Sequence, residues 1–295
     1  YRVKGKGSFV SDNQRRQAAS NDLVAFLITA VNIHDASIMK FIMGIQKKLS
    51  EAGHSLIVEN LMNYEKNERI VIDRLVENRV AGFIVYPDLP ANPGYVKYVA
   101  GLNVPFVLID RYPKGLPVNF AGCNNRDGAM QGVQHLIGIG HEKIGFLAYS
   151  YHISAEKERY EGYVEAMQGA GLEVDDGLLF LEETADWNRI ADRVRSGSMT
   201  AIFCVNDMRA HQLIDSLTAM GIRIPEDLSV MGFDDAEFAQ HAKVPLSTMR
   251  QPFHDIGYTA AQMLLDIMRN PQAQYTHILL GAQLVIRNST QRLEK

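Results

Sequence analysis

Two adjacent carboxylates, Asp234 and Asp235, could serve as a catalytic acid and base. They end the apolar run LSVMGFDD, residues 228–235, which is typical of a buried strand. Successive side chains of a strand point to opposite faces of the sheet, so only one of the two can enter a given site. A catalytic pair made of both residues is therefore not favoured.

Three further residues have side chains with possible chemical roles. The single tryptophan, Trp187, lies in the polar stretch TADWNR, where a helix begins. Its ring either lies at the surface or partly packed, or it offers a platform for a ligand with an apolar face. The two cysteines, Cys123 and Cys204, lie in the apolar runs NFAGCNN and AIFCVND. We expect both to be reduced core residues, because no further metal ligands stand at close spacing.

The motifs of several enzyme classes are absent from the sequence. It contains no GxxxxGK[ST] phosphate loop, no complete GxGxxG after a strand and no GxSxG nucleophile elbow. We therefore expect neither enzyme activity nor a cofactor.

Composition narrows the class of protein further. With 295 residues and 46% hydrophobic content, the chain can build a large core. Its net charge of −4 argues against a body that binds nucleic acids or anionic membranes in general. No apolar run nears the roughly 18 residues that cross a bilayer. No signal peptide is visible either, and together these features predict a cytoplasmic protein.

Apolar runs alternate with segments of helical period from Leu23 onward. In the segment DASIMKFIMGIQKKLSEAG, the apolar residues recur at spacings of three and four, which predicts an amphipathic helix. The alternation restarts near Asp127, so the sequence predicts two α/β lobes, each with a parallel sheet. The predicted strands are LVAFLITA, HSLIVEN, AGFIVYP and PFVLIDR in the first lobe, and KIGFLAYS, GLLFLEE, TAIFCVND and LSVMGFDD in the second. Ligands of such sheets bind at the carboxyl ends of the strands, which places a site in the cleft between the lobes.

Two terminal segments stand apart from this alternation. At the C-terminal end, one helix (HDIGYTAAQMLLDIMRN) and one strand (HILLGAQLVIRN) are too few to form a third domain, so they must add to the two lobes. At the other end, five basic residues face the single acidic residue Asp12 within the first twenty: Arg2, Lys4, Lys6, Arg15 and Arg16. This charge pattern indicates that the first segment, rather than the acidic body, meets something anionic.

A long stretch near the C-terminus carries a family resemblance. The run AIFCVNDMRAHQLIDSLTAMGIRIPEDLSVMGFDDAEFAQHAKVPLSTMRQPF resembles the effector-binding domain of LacI/GalR-type transcriptional regulators. RYEGYVEAM and VLIDR resemble further segments of that domain, and the similarity runs from about residue 22 to the last residues. It implies two Rossmann-like lobes, as in periplasmic sugar-binding proteins, joined by three crossover segments near Cys123, Arg250 and His277.

The resemblance also implies boundaries for each part of the chain. The first lobe would comprise residues 22–122 and 251–275, and the second lobe residues 123–250 and 276–295. Residues 1–21 would be a wing remnant plus a polar linker.

The opening GKGSFV resembles the end of a GntR-type winged helix, in which such a run forms the wing hairpin. Lys6 at the turn would approach DNA phosphate or the minor groove. The whole protein would then be a GntR/LacI hybrid similar in layout to the arabinose repressor type, with the recognition helix outside this chain. Ordinary LacI/GalR members carry a different DNA-binding head. An unrelated linker is the alternative.

The resemblance implies a set of effector-binding residues that suits the hydroxyl groups and apolar faces of a sugar. Two residues have structural alternatives, because Asn206 could simply cap the following helix and Arg159 could pair with Glu161 or Asp110. Val85 is apolar where some sugar-binding relatives carry a polar residue, and we expect His34 and Asp35 to compensate. The implied set is Asp110, Arg159, Trp187, Asn206, Asp234 and Gln251, with Phe253 and Tyr86 lining the cleft.

The functional hypothesis follows from this set. Two carboxylates and one arginine favour a neutral ligand. The family resemblance implies a homodimeric repressor of carbohydrate-utilisation genes, which a neutral monosaccharide releases from operator DNA. The main alternative is a sugar-binding protein of a transport system. The second alternative is an enzyme that has the same scaffold and acts on a small molecule.

Overall fold

The protein was analysed as a computed structural model that describes residues 2–3, 7–8, 22–29, 36–61, 68–87, 94–149, 153–181, 185–271 and 274–293. Two short strands, β1 (Arg2–Val3) and β2 (Gly7–Ser8), form an antiparallel hairpin in which Val3 lies opposite Gly7. Of the run that resembles a GntR-type wing, Gly7 and Ser8 lie in β2, and the wing itself stays a prediction. Lys6, expected at its turn, lies outside the described residues, as do His34 and Asp35.

The first lobe is built on a six-stranded sheet among the described residues. Its four inner strands are buried on both faces and its two edge strands are partly exposed. The amphipathic segments between the strands form helices, as the sequence predicts. In chain order, its first elements are β3 (Leu23–Ile28), α1 (Ala36–Glu51), β4 (Ser55–Asn60), α2 (Glu68–Glu77), β5 (Gly82–Tyr86), α3 (Gly94–Ala100), β6 (Phe106–Ile109) and β7 (Phe120–Cys123).

The second lobe repeats this plan on another six-stranded sheet. Its elements are α4 (Asn125–Gly138), β8 (Ile144–Ala148), α5 (Ser154–Gly169), β9 (Leu179–Leu181), α6 (Trp187–Arg195), β10 (Ala201–Cys204), α7 (Asp207–Ala219), β11 (Ser229–Asp234), α8 (Glu237–His241) and β12 (Ser247–Arg250). The chain then continues through α9 (Phe253–Arg269), β13 (His277–Leu280) and β14 (Gln283–Val285). The two α/β lobes of the predicted fold class are therefore confirmed.

The C-terminal tail departs from the expected single strand. β13 pairs in parallel with β7, so the first sheet has the order β13-β7-β6-β5-β3-β4. β14 pairs antiparallel with β12, and the second sheet has the order β14-β12-β11-β10-β8-β9. The apolar run is continuous in sequence, but Gly281 and Ala282 separate two strands that belong to different sheets. The third crossover lies there, and the expected lobe boundary after residue 275 is too early.

Each lobe also contains one helix pair in which the backbones approach closely at a glycine. In the first lobe α1 packs on α9, and a Cβ added to Gly44 would lie 1.9 Å from the His254 carbonyl oxygen. In the second lobe α4 packs on α5, and a Cβ added to Gly162 would lie 2.1 Å from the Arg126 carbonyl oxygen. Only glycine permits these distances, so both positions fix how the helices sit over their sheets.

Candidate functional site

Arg159 is a buried cation on the cleft side of the second lobe. It lies in the first half of α5, is only 5% exposed, and its guanidinium carbon lies 3.9 Å from the ring centroid of Phe233. Its Nε donates to Asn125 Oδ1 at 2.9 Å, and its Nη1 donates to the Val205 carbonyl oxygen at 2.6 Å. Burial and these bonds hold the guanidinium in one orientation.

Asp234 lies at the end of β11 and faces Arg159. Its Oδ1 is 3.6 Å from Arg159 Nη2, and it accepts a hydrogen bond from Gln251 Nε2 at 2.6 Å. Its backbone φ of +125° is rare for a residue with a side chain, and such strain clusters at functional sites. The structure thus brings together three residues of the implied set, from a helix, a strand end and a crossover.

Asp235 lies just beyond β11, has a φ of +56°, and binds partners different from those of Asp234. It binds Arg250 Nε and Arg287 Nη2, each at 2.6 Å. Burial opposes its ionisation, but the hydrogen bonds from both arginines outweigh burial and keep the pKa of Asp235 below its ordinary value. The two carboxylates have separate partners, so they do not form an acid–base pair.

Asn206 caps α7, which was the structural alternative for this residue. Its Oδ1 accepts a hydrogen bond from the Arg209 backbone N–H at 2.8 Å. The side chain remains half-buried at the carboxyl end of β10.

The next residue, Asp207, was not anticipated from the sequence. It is fully buried, and its oxygens accept from Thr248 Oγ1 at 2.5 Å and from the Ala236 N–H at 2.7 Å. Burial, followed by the charge of Asp234, raises its pKa to about 8. Burial therefore favours the protonated form of Asp207. It helps to fix the strained turn after Asp234.

Trp187 is the first residue of α6 and is half-buried. The Arg209 guanidinium lies 5.6 Å from the Trp187 ring centroid and 4.4 Å from that of Tyr149. The tryptophan ring thus belongs to an aromatic and cationic stack at the edge of the second lobe, and it packs partly against the core of that lobe. Partial packing of the ring is therefore observed, and its use as a platform for a ligand stays a prediction.

The first lobe contributes a local cluster around Arg111. Arg111 Nε donates to Asp110 Oδ2 at 2.8 Å, and its Nη2 donates to the Tyr86 hydroxyl oxygen at 2.6 Å. The guanidinium also lies 4.8 Å from the Tyr86 ring centroid. Burial opposes the charge, but Tyr86 and Asp110 raise the pKa of Arg111 above its ordinary value. Asp110 has a φ of +69°, and it shares this strained geometry with Asp234.

Phe253, which we expect to line the cleft, is largely covered by the first lobe. It is 5% exposed and packs edge-on against Phe41, with ring centroids 5.2 Å apart, in the interface of α1 and α9. Because it is the first residue of α9, its ring turns into the helix pair. Tyr86 touches the other side of Phe41, at 6.2 Å between ring centroids.

Cys123 lies among the charged groups of both lobes. Burial raises the pKa of its thiol to about 12, and the charges of Arg159, Asp234, Asp110 and Glu158 all act on it. Both cysteines are free and buried, as expected of core residues. The position of Cys123 at the end of β7 shows that the two polar clusters face one another across the first crossover.

Several cleft residues were missed by sequence reasoning. Two signals in the sequence could have indicated them. One is a position shortly after the strands β6, β7, β8 and β10, and the other is a position among the acidic residues that precede Arg159 on α5. The structure places four further charged residues beside the implied set, and the fully buried Asp207 near Asp234: Arg111, Arg209, Glu156 and Glu158. Within the described ranges, no group of three His, Cys, Asp or Glu residues could hold a metal ion.

Comparison with known families accounts for this architecture. The family model described as the periplasmic binding protein-like domain matches residues 133–290. The chain belongs to this family. Among the residues that the structure describes, no helix is long and apolar enough to cross a membrane.

The curated relatives of this family member are transcriptional repressors. The arabinose metabolism transcriptional repressor of Geobacillus stearothermophilus is 24% identical over 306 residues, which covers 99% of this chain and 83% of that repressor. The repressor PurR of Photobacterium profundum is 29% identical and covers 85% of this chain and 77% of its own. The repressor CytR of Escherichia coli K12 is 25% identical over 94% of this chain and 82% of its own.

Solved structures show the same two-lobed fold. The complex of the transcriptional regulator CelR with cellobiose is 27% identical and has a TM-score of 0.76, over 91% of this chain and 84% of CelR. A LacI-family regulatory protein from Chloroflexus aggregans, 24% identical, has a TM-score of 0.80 over 92% of this chain and 99% of its own. Because the curated relatives are repressors, the comparisons support an effector-binding domain of a transcriptional regulator over a sugar-binding protein of a transport system.

Proposed function

We propose that this chain is the effector-binding and dimerisation part of a cytoplasmic repressor of carbohydrate-utilisation genes, which a neutral monosaccharide releases from operator DNA. The observation that carries the proposal is the fixed cluster of Arg159, Asp234 and Gln251 at the cleft. Its members supply a guanidinium, a carboxylate and an amide in set positions. Such a set can donate to and accept from the hydroxyl groups of one sugar ring.

The charges at the cleft favour a neutral effector. Arg111 is paired with Asp110, and Arg159 faces Asp234, so a ligand phosphate would have to compete with carboxylates already in place. Glu156 and Glu158 add further negative charge. Repulsion from these groups opposes an anionic ligand, whereas hydroxyl groups can bind carboxylates and arginines alike.

The relatives support a saccharide as the ligand class. CelR was solved with cellobiose, and the curated relatives include repressors of arabinose metabolism from two organisms. The aromatic rings of Trp187 and Tyr149 lie beside Arg209, where one face of a sugar could stack.

The hybrid layout with a GntR-type wing is part of the proposal. The hairpin of β1 and β2 has the antiparallel pairing that a wing requires. The arabinose metabolism repressors align with 98–99% of this chain, whereas PurR aligns with 85%. We propose that Lys6 contacts the DNA backbone from this hairpin, and that closure of the lobes changes the spacing of two DNA-binding heads in a homodimer.

A thermal-shift screen tests the ligand class directly. Neutral monosaccharides, nucleosides and sugar phosphates are added one at a time, because a ligand that binds only the folded state raises the melting temperature. We expect a strong shift from one neutral sugar. That sugar should also weaken binding of the full-length protein to its operator. Shifts from phosphates or nucleosides alone would contradict the proposal.

A further inference from the structure

A pair of hydrogen bonds joins the two lobes beside the cleft, outside the residue set that the resemblance implies. Tyr112 follows β6 in the first lobe, and its hydroxyl donates to Glu158 Oε1 at 2.8 Å. Its backbone N–H donates to Ser154 Oγ at 3.1 Å. Ser154 and Glu158 both lie in α5 of the second lobe. Separation of the lobes would therefore break both bonds.

The first-lobe partner in this contact is held in place. The Tyr112 ring packs against Phe120 at 4.7 Å and against His277 at 4.9 Å between ring centroids. These residues begin β7 and β13, the strands that lead into two of the three crossovers. The tyrosine is thus positioned by the strands on which the lobes must pivot. Burial, reinforced by the bond to Glu158, raises its pKa to about 12, so the hydroxyl remains a donor at physiological pH.

The second-lobe partner connects the contact to Arg159. The other oxygen of Glu158, Oε2, accepts from Asn125 Nδ2 at 3.0 Å. Asn125 Oδ1 in turn accepts from Arg159 Nε at 2.9 Å. The carboxylate requires a donor and the guanidinium requires an acceptor, so together they fix the orientation of the Asn125 amide.

We propose that Tyr112 and Glu158 form a latch between the lobes, and that Glu158 is a positioning residue which links the latch to Arg159 through Asn125. This inference rests on the proposed function in one respect, namely that Arg159 binds the effector. All groups of the latch belong to the chain itself, so the latch can be tested without a ligand. A ligand that moves Arg159 would change the orientation of Asn125 and so weaken or strengthen the contact between the lobes.

The first test measures the latch without any ligand. Spin labels are attached through Lys97→Cys in the first lobe and Gln168→Cys in the second, both exposed, while Cys123 and Cys204 are buried and do not react. Tyr112→Phe should shift and broaden the distance distribution between the labels. Tyr163→Phe is the matched control, because its hydroxyl donates to the Ile144 carbonyl oxygen within the second lobe. An unchanged distribution in Tyr112→Phe overturns the latch.

The second test follows the Nε–H of Arg159 by nitrogen-15 NMR, again without ligand. Asn125→Ala should speed exchange of this proton with water, and it should also broaden the label distances, because Glu158 loses its bond from Asn125. Tyr112→Phe should also speed it, although Tyr112 makes no hydrogen bond to Arg159, because Glu158 loses one of its two fixed partners. Unaltered exchange in Tyr112→Phe overturns the link to Arg159.

A conservative variant completes the design. Glu158→Ala should change both readouts. Glu158→Gln should restore them, because its oxygen can accept from Asn125 and its amide can donate to the Tyr112 hydroxyl. A Glu158→Gln variant that behaves like Glu158→Ala would contradict the hydrogen-bonded role. Neither the label distances nor the proton exchange requires an effector. Both results would therefore stand if the effector assignment were wrong, and the thermal-shift screen tests that assignment separately.

Discussion

The two walls of the cleft are built in different ways on nearly the same scaffold. In the second lobe, Arg159 is held by residues distant in sequence, including Asn125 and Asp234. In the first lobe, Arg111 binds its own neighbour Asp110 and the hydroxyl of Tyr86. We call the surroundings of Arg159 the fixed wall, because Asn125, the Val205 carbonyl and Asp234 hold it from three different parts of the chain. We call the surroundings of Arg111 the adaptable wall, because Arg111 is held there by Asp110 and the Tyr86 hydroxyl alone. We infer that the second lobe provides the specific contacts and that the first lobe adapts on closure.

The largest expected effect is that of Arg159→Ala. Binding of the sugar that stabilises the wild-type protein should be lost in isothermal titration calorimetry. Removing the guanidinium also leaves the Val205 carbonyl and the Asn125 amide without their partner, at about 1–3 kcal/mol for each buried group. Circular dichroism should show a folded protein with a lower melting temperature. Wild-type affinity for the sugar in this variant would refute the assignment of the fixed wall.

The paired glycines test whether the two walls are independent. Gly162→Ala and Gly44→Ala each place a methyl group against a backbone carbonyl and should each destabilise the protein by about 1–3 kcal/mol in urea unfolding. Only Gly162→Ala should also weaken sugar binding, because α4 and α5 carry Asn125 and Arg159.

The matched control for this pair is Gly169→Ala, at the exposed end of α5, where an added Cβ meets no atom within 4 Å. Since alanine is the better helix former, this change should be neutral or stabilise by up to about 1 kcal/mol. Equal loss of sugar binding in Gly44→Ala and Gly162→Ala would show that the two walls are coupled.

The buried carboxyl of the fixed wall predicts a pH dependence. The pKa of Asp207 is raised from 3.8 to about 8, so the folded protein binds a proton that the unfolded chain releases above pH 4. The stabilisation from this proton is present below about pH 4 and is lost as the pH rises through 8. Asp207→Asn lacks this titration. Its melting temperature should therefore improve relative to wild type as the pH rises from 4 to 8, and a constant difference would contradict the prediction.

The smallest effect is expected in the adaptable wall. Tyr86→Phe removes the hydroxyl that accepts from Arg111 but keeps the ring beneath the guanidinium. We expect a loss of about 0.5–1.5 kcal/mol in unfolding free energy and little change in sugar affinity, because the pair with Asp110 remains. Loss of sugar binding as complete as in Arg159→Ala would mean that the first wall is equally specific.

Local periodicity explains which parts of the structure could be predicted. The alternation of strands and helices depends on spacing within short segments, and this prediction is confirmed. Asp234 and Asp235 have separate partners, as expected, but the strand ends at Asp234, so strand periodicity is not the reason. The split of the tail into β13 and β14 could not be predicted in this way, because each strand is defined by a partner in a different sheet.

The pairing of side chains at the cleft was equally hidden. Arg159 binds Asn125 and Asp234 rather than Glu161, which instead lies 3.9 Å from Lys157 on its own helix. Glu158 looks like one more charge on the surface of α5 until the fold brings Tyr112 to it. The family resemblance indicated residue types at strand ends. It could not supply partners that come from other elements.

The late crossover at residues 281–282 has a consequence for how the protein is made. The first lobe lacks its edge strand until residue 280 has been synthesised, and the second lobe lacks β14 until residue 285. Both sheets can therefore be completed only after residue 285 has been synthesised. Neither lobe can serve as a completed template for the other. A chain interrupted after β12 would leave α1 without the helix that covers it, and both halves would be exposed to proteases together.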